Sequence, residues 1–432
     1  MWSVTPHCWD LSLNTSFRQL LGTWSFDLPA GIIVALVALP LALGFGVTSG
    51  AGAASGLATA IVAGLLAGIF GGSKYQVSGP TGAMVVVLYP IIAQVGMSGL
   101  FAVGLIAGGL IIVFGLLRLG ALAKLIPPSV MEGFTLGIAL VVALQQLPLV
   151  FGVQRGEGTE SLIASWNTIQ NVLTLGMNIW ALALVILTVL IKIAWNKVRA
   201  NYPKLKPIPP SAVAVLILTL ATVFFAIPVA KVGQLPAADI FKINIAWPNL
   251  PLEALIYPAV VVAILGAVES LLSARVADSM VHRRDGGIRS HFSPNRELIG
   301  QGIATVASSL VGGMPATGAI ARTAVNINAG AKSRRATITH ALVLLLFVLA
   351  LSPLVGEIPT PVLAGVLLGA SWRIASPASI KENLTTEVPE RVGYLATALF
   401  VLVIDLIWGL VIGIVIYALA KFLFEKTSKA SS

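Results

Sequence analysis

Arg322, Glu269 and Thr81 are polar residues set in apolar surroundings, and each is of a type that handles ions. Arg322 follows an interruption in a hydrophobic run. Gly312-Gly313-Met314-Pro315 breaks the run, Ala316-Thr317-Gly318-Ala319-Ile320-Ala321 restarts it, and the arginine comes next. A guanidinium inside a membrane segment costs several kcal/mol unless it is paired or faces water. Its chemistry there is anion binding or a polar pairing. Snorkelling competes poorly, because Lys332, Arg334 and Arg335 stand about ten residues further on, ~15 Å at helical rise.

Glu269 lies in Ala263-Ile264-Leu265-Gly266-Ala267-Val268-Glu269-Ser270-Leu271-Leu272, an otherwise apolar helix. A carboxyl in that setting can carry a proton across. It can also stay charged by pairing with Arg322 or binding Na⁺, or serve as a structural salt bridge. Ser273, one turn away, is a candidate co-ligand of the coupling ion. Thr81 belongs to Ser78-Gly79-Pro80-Thr81-Gly82-Ala83-Met84, which repeats the Gly/Pro interruption in the N-terminal half. Its hydroxyl can donate to an anion. Gly82 and Gly318 would let an anion approach the backbone, or merely let helices pack. Phe45 offers an apolar wall, or a lipid- or core-facing ring.

The elements that must position these residues are membrane helices. The chain has 432 residues, 57% hydrophobic and 10% charged, against roughly 25% charged in a soluble domain. Apolar runs of ~20 residues, each able to cross a ~30 Å hydrocarbon core, recur along the length. Among them are 28–46, 55–70, 100–117, 133–151, 179–195, 212–227, 259–274, 341–351 and 394–423. The fold class is an all-α polytopic membrane protein.

The organisation reads as a cytoplasmic N-terminal segment 1–27, a first repeat 28–227, an outer connection 228–252 rich in proline, a second repeat 253–424, and a cytoplasmic tail 425–432. Asp27 is placed to cap the first helix with Pro29 in its first turn, and Pro40 to kink it mid-membrane. Residues 161–175 mix Trp166, Asn167, Gln170 and Asn171 with apolar residues and predict a surface-lying helix. The stretch 392–423 predicts two crossings interrupted near Asp405 and Gly409. Both Gly/Pro interruptions predict half-helices preceded by short extended pieces. Half-helix N-termini carry a positive dipole end, and in inverted repeats the two would converge on one anion-binding point.

Seven crossings per half with a cytoplasmic N-terminus place 22 of the 27 basic residues in cytoplasmic segments and three outside. That asymmetry is the positive-inside bias. The net charge of +10 therefore reports orientation, with both termini cytoplasmic in a cell inner or plasma membrane, and not a nucleic-acid partner. A lone cysteine, Cys8, excludes an internal disulfide and a thiolate metal cage. Four scattered histidines lack metal-ligand spacing, and no phosphate-binding glycine motif appears. No metal and no cofactor are expected beyond H⁺, alternatively Na⁺, as coupling ion. No nucleophile–base pair suggests an enzyme. Residues 1–25 carry Trp2, Trp9 and Trp24 without the architecture of a signal peptide, and read as a surface segment.

At these residues the chain resembles the membrane domain of the SulP family, the sulfate-permease type anion transporters. The resemblance rests on Asp27-Leu28-Pro29-Ala30-Gly31 with Leu39-Pro40, on 78–84, on Asn295-Arg296-Glu297-Leu298-Ile299-Gly300-Gln301-Gly302, and on Gly318 with Arg322-Thr323-Ala324-Val325-Asn326. It covers about residues 27 to 424. It implies a seven-plus-seven inverted repeat of about fourteen segments, divided into gate and core domains. Its third and tenth segments would be half-helices meeting at the midplane. It implies elevator transport, a homodimer, an anion bordered by Phe45, Thr81, Ile320, Ala321 and Arg322, and Glu269 as the acid of the eighth segment.

Leu41 stands where many members have Gln, and Ala321 where many have Ser, so two donors expected of a sulfate site are missing. A bicarbonate, dicarboxylate or other anion held by backbone dipoles fits as well. The sodium–bicarbonate branch places Asp at the Glu269 position and a hydroxyl near Ile320; Glu and Ile here point to H⁺ symport. Family members usually continue into a cytoplasmic STAS domain, which is absent from this sequence, either naturally or because the sequence is shortened. Exchange or channel activity on the same fold remains open. A nucleobase permease would carry a second carboxylate on the tenth segment, where this chain has Arg322.

Overall fold

A computed structural model describes residues 23–121, 126–158, 160–235, 241, 247–285 and 291–430. Trp2, Trp9 and Cys8 lie outside the described residues.

The described residues form fourteen membrane segments. The first two are Trp24–Thr48 and Ala53–Phe70. The helix Gly82–Leu116 supplies the third and fourth, divided at Gly96, whose φ of 74° and ψ of −160° break the helical path. A left-handed φ of this kind is open to glycine at little cost. Pro128–Leu144, Ile179–Asn201 and Pro210–Phe224 complete the first repeat. The second repeat runs through Leu252–Arg284, Pro294–Leu310, Ile320–Asn328, Arg335–Gly356, Thr360–Ile374, Val388–Val403 and Leu406–Ala430. Nine helices among the described residues are long and apolar enough to cross a membrane by themselves. Proline sits at the first turn of the fifth, seventh, ninth, twelfth and thirteenth segments, where its missing N–H has no helical partner to lose.

The segments pack as two bundles. Segments one to four pack chiefly with eight to eleven, and segments five to seven with twelve to fourteen. Where helices meet, alanine and glycine dominate the first bundle's contacts, as close helix approach in lipid requires. Ser161–Leu175 is a separate helix with exposed Leu162, Ile163, Trp166, Leu173 and Leu175, as its surface-lying pattern predicts. The break at Asp405 also agrees, and its carboxylate caps the last segment by accepting from the Trp408 N–H at 2.7 Å.

One expectation for the first segment fails. Asp27 lies inside the helix, which begins at Trp24. Its carboxylate instead accepts from the backbone N–H groups of Lys332 and Ser333 and from the Ser333 hydroxyl, at 2.6–2.9 Å. It thus caps the turn after the tenth segment, a long-range choice that local sequence does not encode. Pro40 lies within this helix, which continues to Thr48.

Candidate functional site

The site begins with two short strands. Ser78–Gly79 pairs antiparallel with Thr317–Gly318, Ser78 opposite Gly318 and Gly79 opposite Thr317. The Ala319 N–H extends the pairing to the Val77 carbonyl at 2.9 Å. A half-helix leaves each strand: the third segment starts at Gly82 and the tenth at Ile320. The ladder therefore fixes both N-termini beside each other. No side chain caps either helix, since Thr81 and Ala319 at the cap positions make no side-chain cap bond. The first-turn N–H groups and the dipole ends are left to a ligand.

Glu269, on the eighth segment, faces this junction. Its Oε2 accepts from Thr317 Oγ1 at 2.6 Å and Thr81 Oγ1 at 2.9 Å, and the two hydroxyls are 3.1 Å apart. Three oxygens from three elements thus converge within hydrogen-bond distance. Thr317 was not singled out by the sequence, because a threonine in an extended piece carries no signal of its partner. Glu269 is half-buried, as are Phe45, Ile320 and Ala321, whereas Thr81 and Thr317 are buried. Phe45 packs beside Gly82, near where a Cβ would stand.

Arg322 is the third residue of the tenth segment and 1% exposed. Its Nη2 donates to the Pro80 carbonyl at 2.6 Å, reaching from one half-helix to the peptide that leads into the other. Nη1 is buried without a hydrogen-bond partner. It lies so close to Gly79 that any Cβ there would collide with it. Among the described residues Arg322 closes no ion pair, so Glu269 acts on it through space and not by contact. A desolvated cation with an open donor behind two dipole ends makes a positive, anion-receptive point.

A buried polar layer holds the first strand in place. Glu297 Oε2 accepts from the N–H groups of Gly72 and Ser73, and Oε1 accepts from Gln76 Nε2 at 2.8 Å. Gln301 accepts from Ser78 Oγ and donates to the Ala316 carbonyl, each at 2.8 Å, so one side chain of the ninth segment holds both extended pieces. Asn326 Nδ2 donates to the Tyr75 carbonyl, and Thr323 Oγ1 accepts from the Val77 N–H. Sequence reasoning gave Glu297 and Gln301 only as parts of a family motif; their spacing of four on one helix face was the available signal.

Three of the expected residues have protein neighbours at close range. A Cβ on Gly82 would meet Val142 Cγ2, and one on Gly318 would meet the Gln76 side chain. At each glycine the space a Cβ would need is taken by protein, as the packing alternative expects. Ser273 is fully buried and bonded to Thr323 at 3.2 Å, away from the Glu269 carboxylate. Ser270 is the serine that touches the ladder, accepting from the Gly318 N–H at 3.1 Å.

The comparison that decides the family is a match of the Sulfate permease family profile to residues 25–397. The chain belongs to the sulfate permease family. It is 36% identical over 396 residues to the putative sulfate transporter YvdB of Bacillus subtilis (strain 168), covering 90% of this chain and 72% of the relative. It is 30% identical over 365 residues to the bicarbonate transporter BicA of Picosynechococcus sp., covering 81% of this chain and 61% of the relative. Among solved structures, the transmembrane domain of a cyanobacterium bicarbonate transporter BicA matches with a TM-score of 0.77 and 30% identity, over 90% of this chain and 98% of that one. Murine Slc26a9 in the inward-facing state matches with a TM-score of 0.78 over 98% of this chain and 74% of that one; at 16% identity it supports the fold alone. Sulfate permease membership makes the chain a multi-pass membrane transporter with the seven-plus-seven inverted repeat, not an enzyme.

Proposed function

We propose that this chain is a secondary active transporter of small inorganic or organic anions of the sulfate, bicarbonate or dicarboxylate class, driven by H⁺ symport. The observation that carries the reading is the buried Arg322 guanidinium with its free Nη1, set behind two uncapped half-helix N-termini. The anion would sit against the first-turn N–H groups, with Phe45, Ile320 and Ala321 as apolar walls. Arg322 would supply charge from behind. Glu269 would couple the ion, since binding an anion beside a carboxylate is favoured when that carboxylate is neutralised.

Movement of the first bundle against the second would carry the site across the membrane. The division into two bundles that meet near Gly82 and Val142 supports this elevator reading. The excess of cytoplasmic basic residues supports a plasma-membrane orientation with both termini inside, and family likeness supports a homodimer.

A second reading rests on one specific arrangement. The converging oxygens of Glu269, Thr81 and Thr317 also have the character of a hard-cation site, which favours Na⁺-dependent symport. The bicarbonate transporters among the relatives give that reading its anion. Uptake of radiolabelled sulfate, bicarbonate, succinate and chloride into proteoliposomes, under imposed H⁺ or Na⁺ gradients, tests both. Accumulation of one of these anions driven by an H⁺ gradient supports the first reading, and accumulation driven only by Na⁺ supports the second. Absence of anion uptake under every gradient overturns both.

A further inference from the structure

Away from the anion site, three cations gather where the sixth segment, Ile179–Asn201, and the twelfth, Thr360–Ile374, end on the same membrane face. Lys192 and Arg199 come from the sixth and Arg373 from the last turn of the twelfth. Arg373 repels both Lys192 and Arg199, and among the described residues no carboxylate offsets that repulsion at Lys192 or Arg373. None of the three closes an ion pair among the described residues. Lys192 is half-buried and donates to the Val366 carbonyl at 3.2 Å. A Cβ on Gly369 would collide with its Nζ, so the twelfth segment is shaped to let the ammonium lie against its backbone.

Like charges held together at a membrane edge are unfavourable without an anion between them. The surroundings indicate which anion. Trp372 and Tyr202 beside the cluster are exposed, as aromatic rings at headgroup depth are. Ile186, Leu190 and Ile193 continue an exposed apolar row up the sixth segment from that level. The cations face the twelfth segment and the row faces outward about a third of a turn or more round the sixth, so a headgroup at the helix end meets the cations while its chain passes to the row.

We propose that Lys192, Arg199 and Arg373 bind the phosphate of an anionic phospholipid, whose acyl chain lies along the exposed row of the sixth segment. Basic pockets between membrane helices recognise lipid headgroups by this chemistry. The site belongs to the second bundle and stands whether or not the transport reading does.

Native mass spectrometry of the delipidated, purified chain tests it. Phosphatidylglycerol, phosphatidylcholine and inorganic phosphate are each added in neutral detergent. The wild type should retain phosphatidylglycerol over phosphatidylcholine, and inorganic phosphate at equal concentration should not displace it. R199Q, R373Q and K192M should each weaken phosphatidylglycerol retention roughly fivefold, the scale of one juxtamembrane charge. R118Q, which removes an exposed cation from another segment end, should change nothing. Equal retention of both lipids by the wild type overturns the proposal, as does unchanged retention in the two arginine variants or an equal loss in R118Q. Displacement by inorganic phosphate assigns the cluster to a free anion and overturns the lipid.

Discussion

Thr317 Oγ1 donates to Glu269 Oε2 at 2.6 Å, tying the strand before the tenth segment to the middle of the eighth. Because that strand also pairs with Ser78–Gly79, any change of charge or ligand at Glu269 is felt by both half-helices. Replacing Thr317 by Val keeps the shape and removes the donor. A hydrogen bond to a charged group is worth about 1.5–3 kcal/mol, and its loss favours the protonated carboxyl, so half-saturation by H⁺ should move about tenfold or more toward lower concentration. Initial uptake rates measured against the driving-ion concentration should show a shifted half-saturation with little change in the anion's own concentration dependence.

Arg322→Ala removes the charge and leaves the Pro80 carbonyl without its donor. Anion binding to purified protein should fall below detection, while stability falls by about 1–3 kcal/mol, the cost of one unsatisfied buried acceptor, read as a modestly lower melting temperature. Arg322→Lys keeps the charge but has a single nitrogen, which cannot both bond the Pro80 carbonyl and fill the place of Nη1 beside Gly79. It should fold like the wild type and bind the anion more weakly. Unchanged anion affinity in Arg322→Ala removes the arginine from the site.

Gly82 and Val142 meet across the two bundles, which makes a compensating pair testable. Gly82→Ala should lower stability by about 1–3 kcal/mol through overpacking, read as a lower melting temperature. Val142→Ala in the same chain should restore most of that loss. A double variant as unstable as Gly82→Ala alone would mean that the clash lies elsewhere.

The Arg155 guanidinium stacks 3.6 Å above the Tyr89 ring and joins the loop after the fifth segment to the third segment. Such a contact is worth about 0.5–2 kcal/mol and has to open if the two bundles slide past each other. Tyr89→Leu should therefore shift the balance of states several-fold. In a background with Cys8 replaced by Ser, the labelling rate of A321C by a membrane-impermeant thiol reagent added from either side should change relative to the parent.

The half-helices and the candidate ion-handling residues were legible because their cost is visible in one dimension. Arg322 and Glu269 stand out as charges in apolar runs, and the two Gly/Pro interruptions mark where helices must stop. The ninth segment, Pro294–Leu310, was legible only through family likeness. Its buried Glu297, Gln301, Thr305, Ser308 and Ser309 make it too polar to resemble a crossing, and their partners are loops far away in sequence. Thr317 and Asp27 were missed or misassigned for the same reason: a short polar side chain reveals its type but not its partner. Gly82 and Gly318 illustrate the converse, since a glycine shows that something comes close without showing whether it is ligand or protein.

The most direct test compares wild type and Glu269→Gln in proteoliposomes loaded with the transported anion or left empty. Glutamine keeps the hydrogen-bonding shape toward Thr81 and Thr317 and removes the ionisable group. The wild type should concentrate the anion into empty vesicles under the driving gradient. Glu269→Gln should fail to concentrate it yet still exchange it with internal anion. Accumulation by Glu269→Gln equal to that of the wild type contradicts the coupling role of this carboxyl and leaves it as structural support for the strand pair.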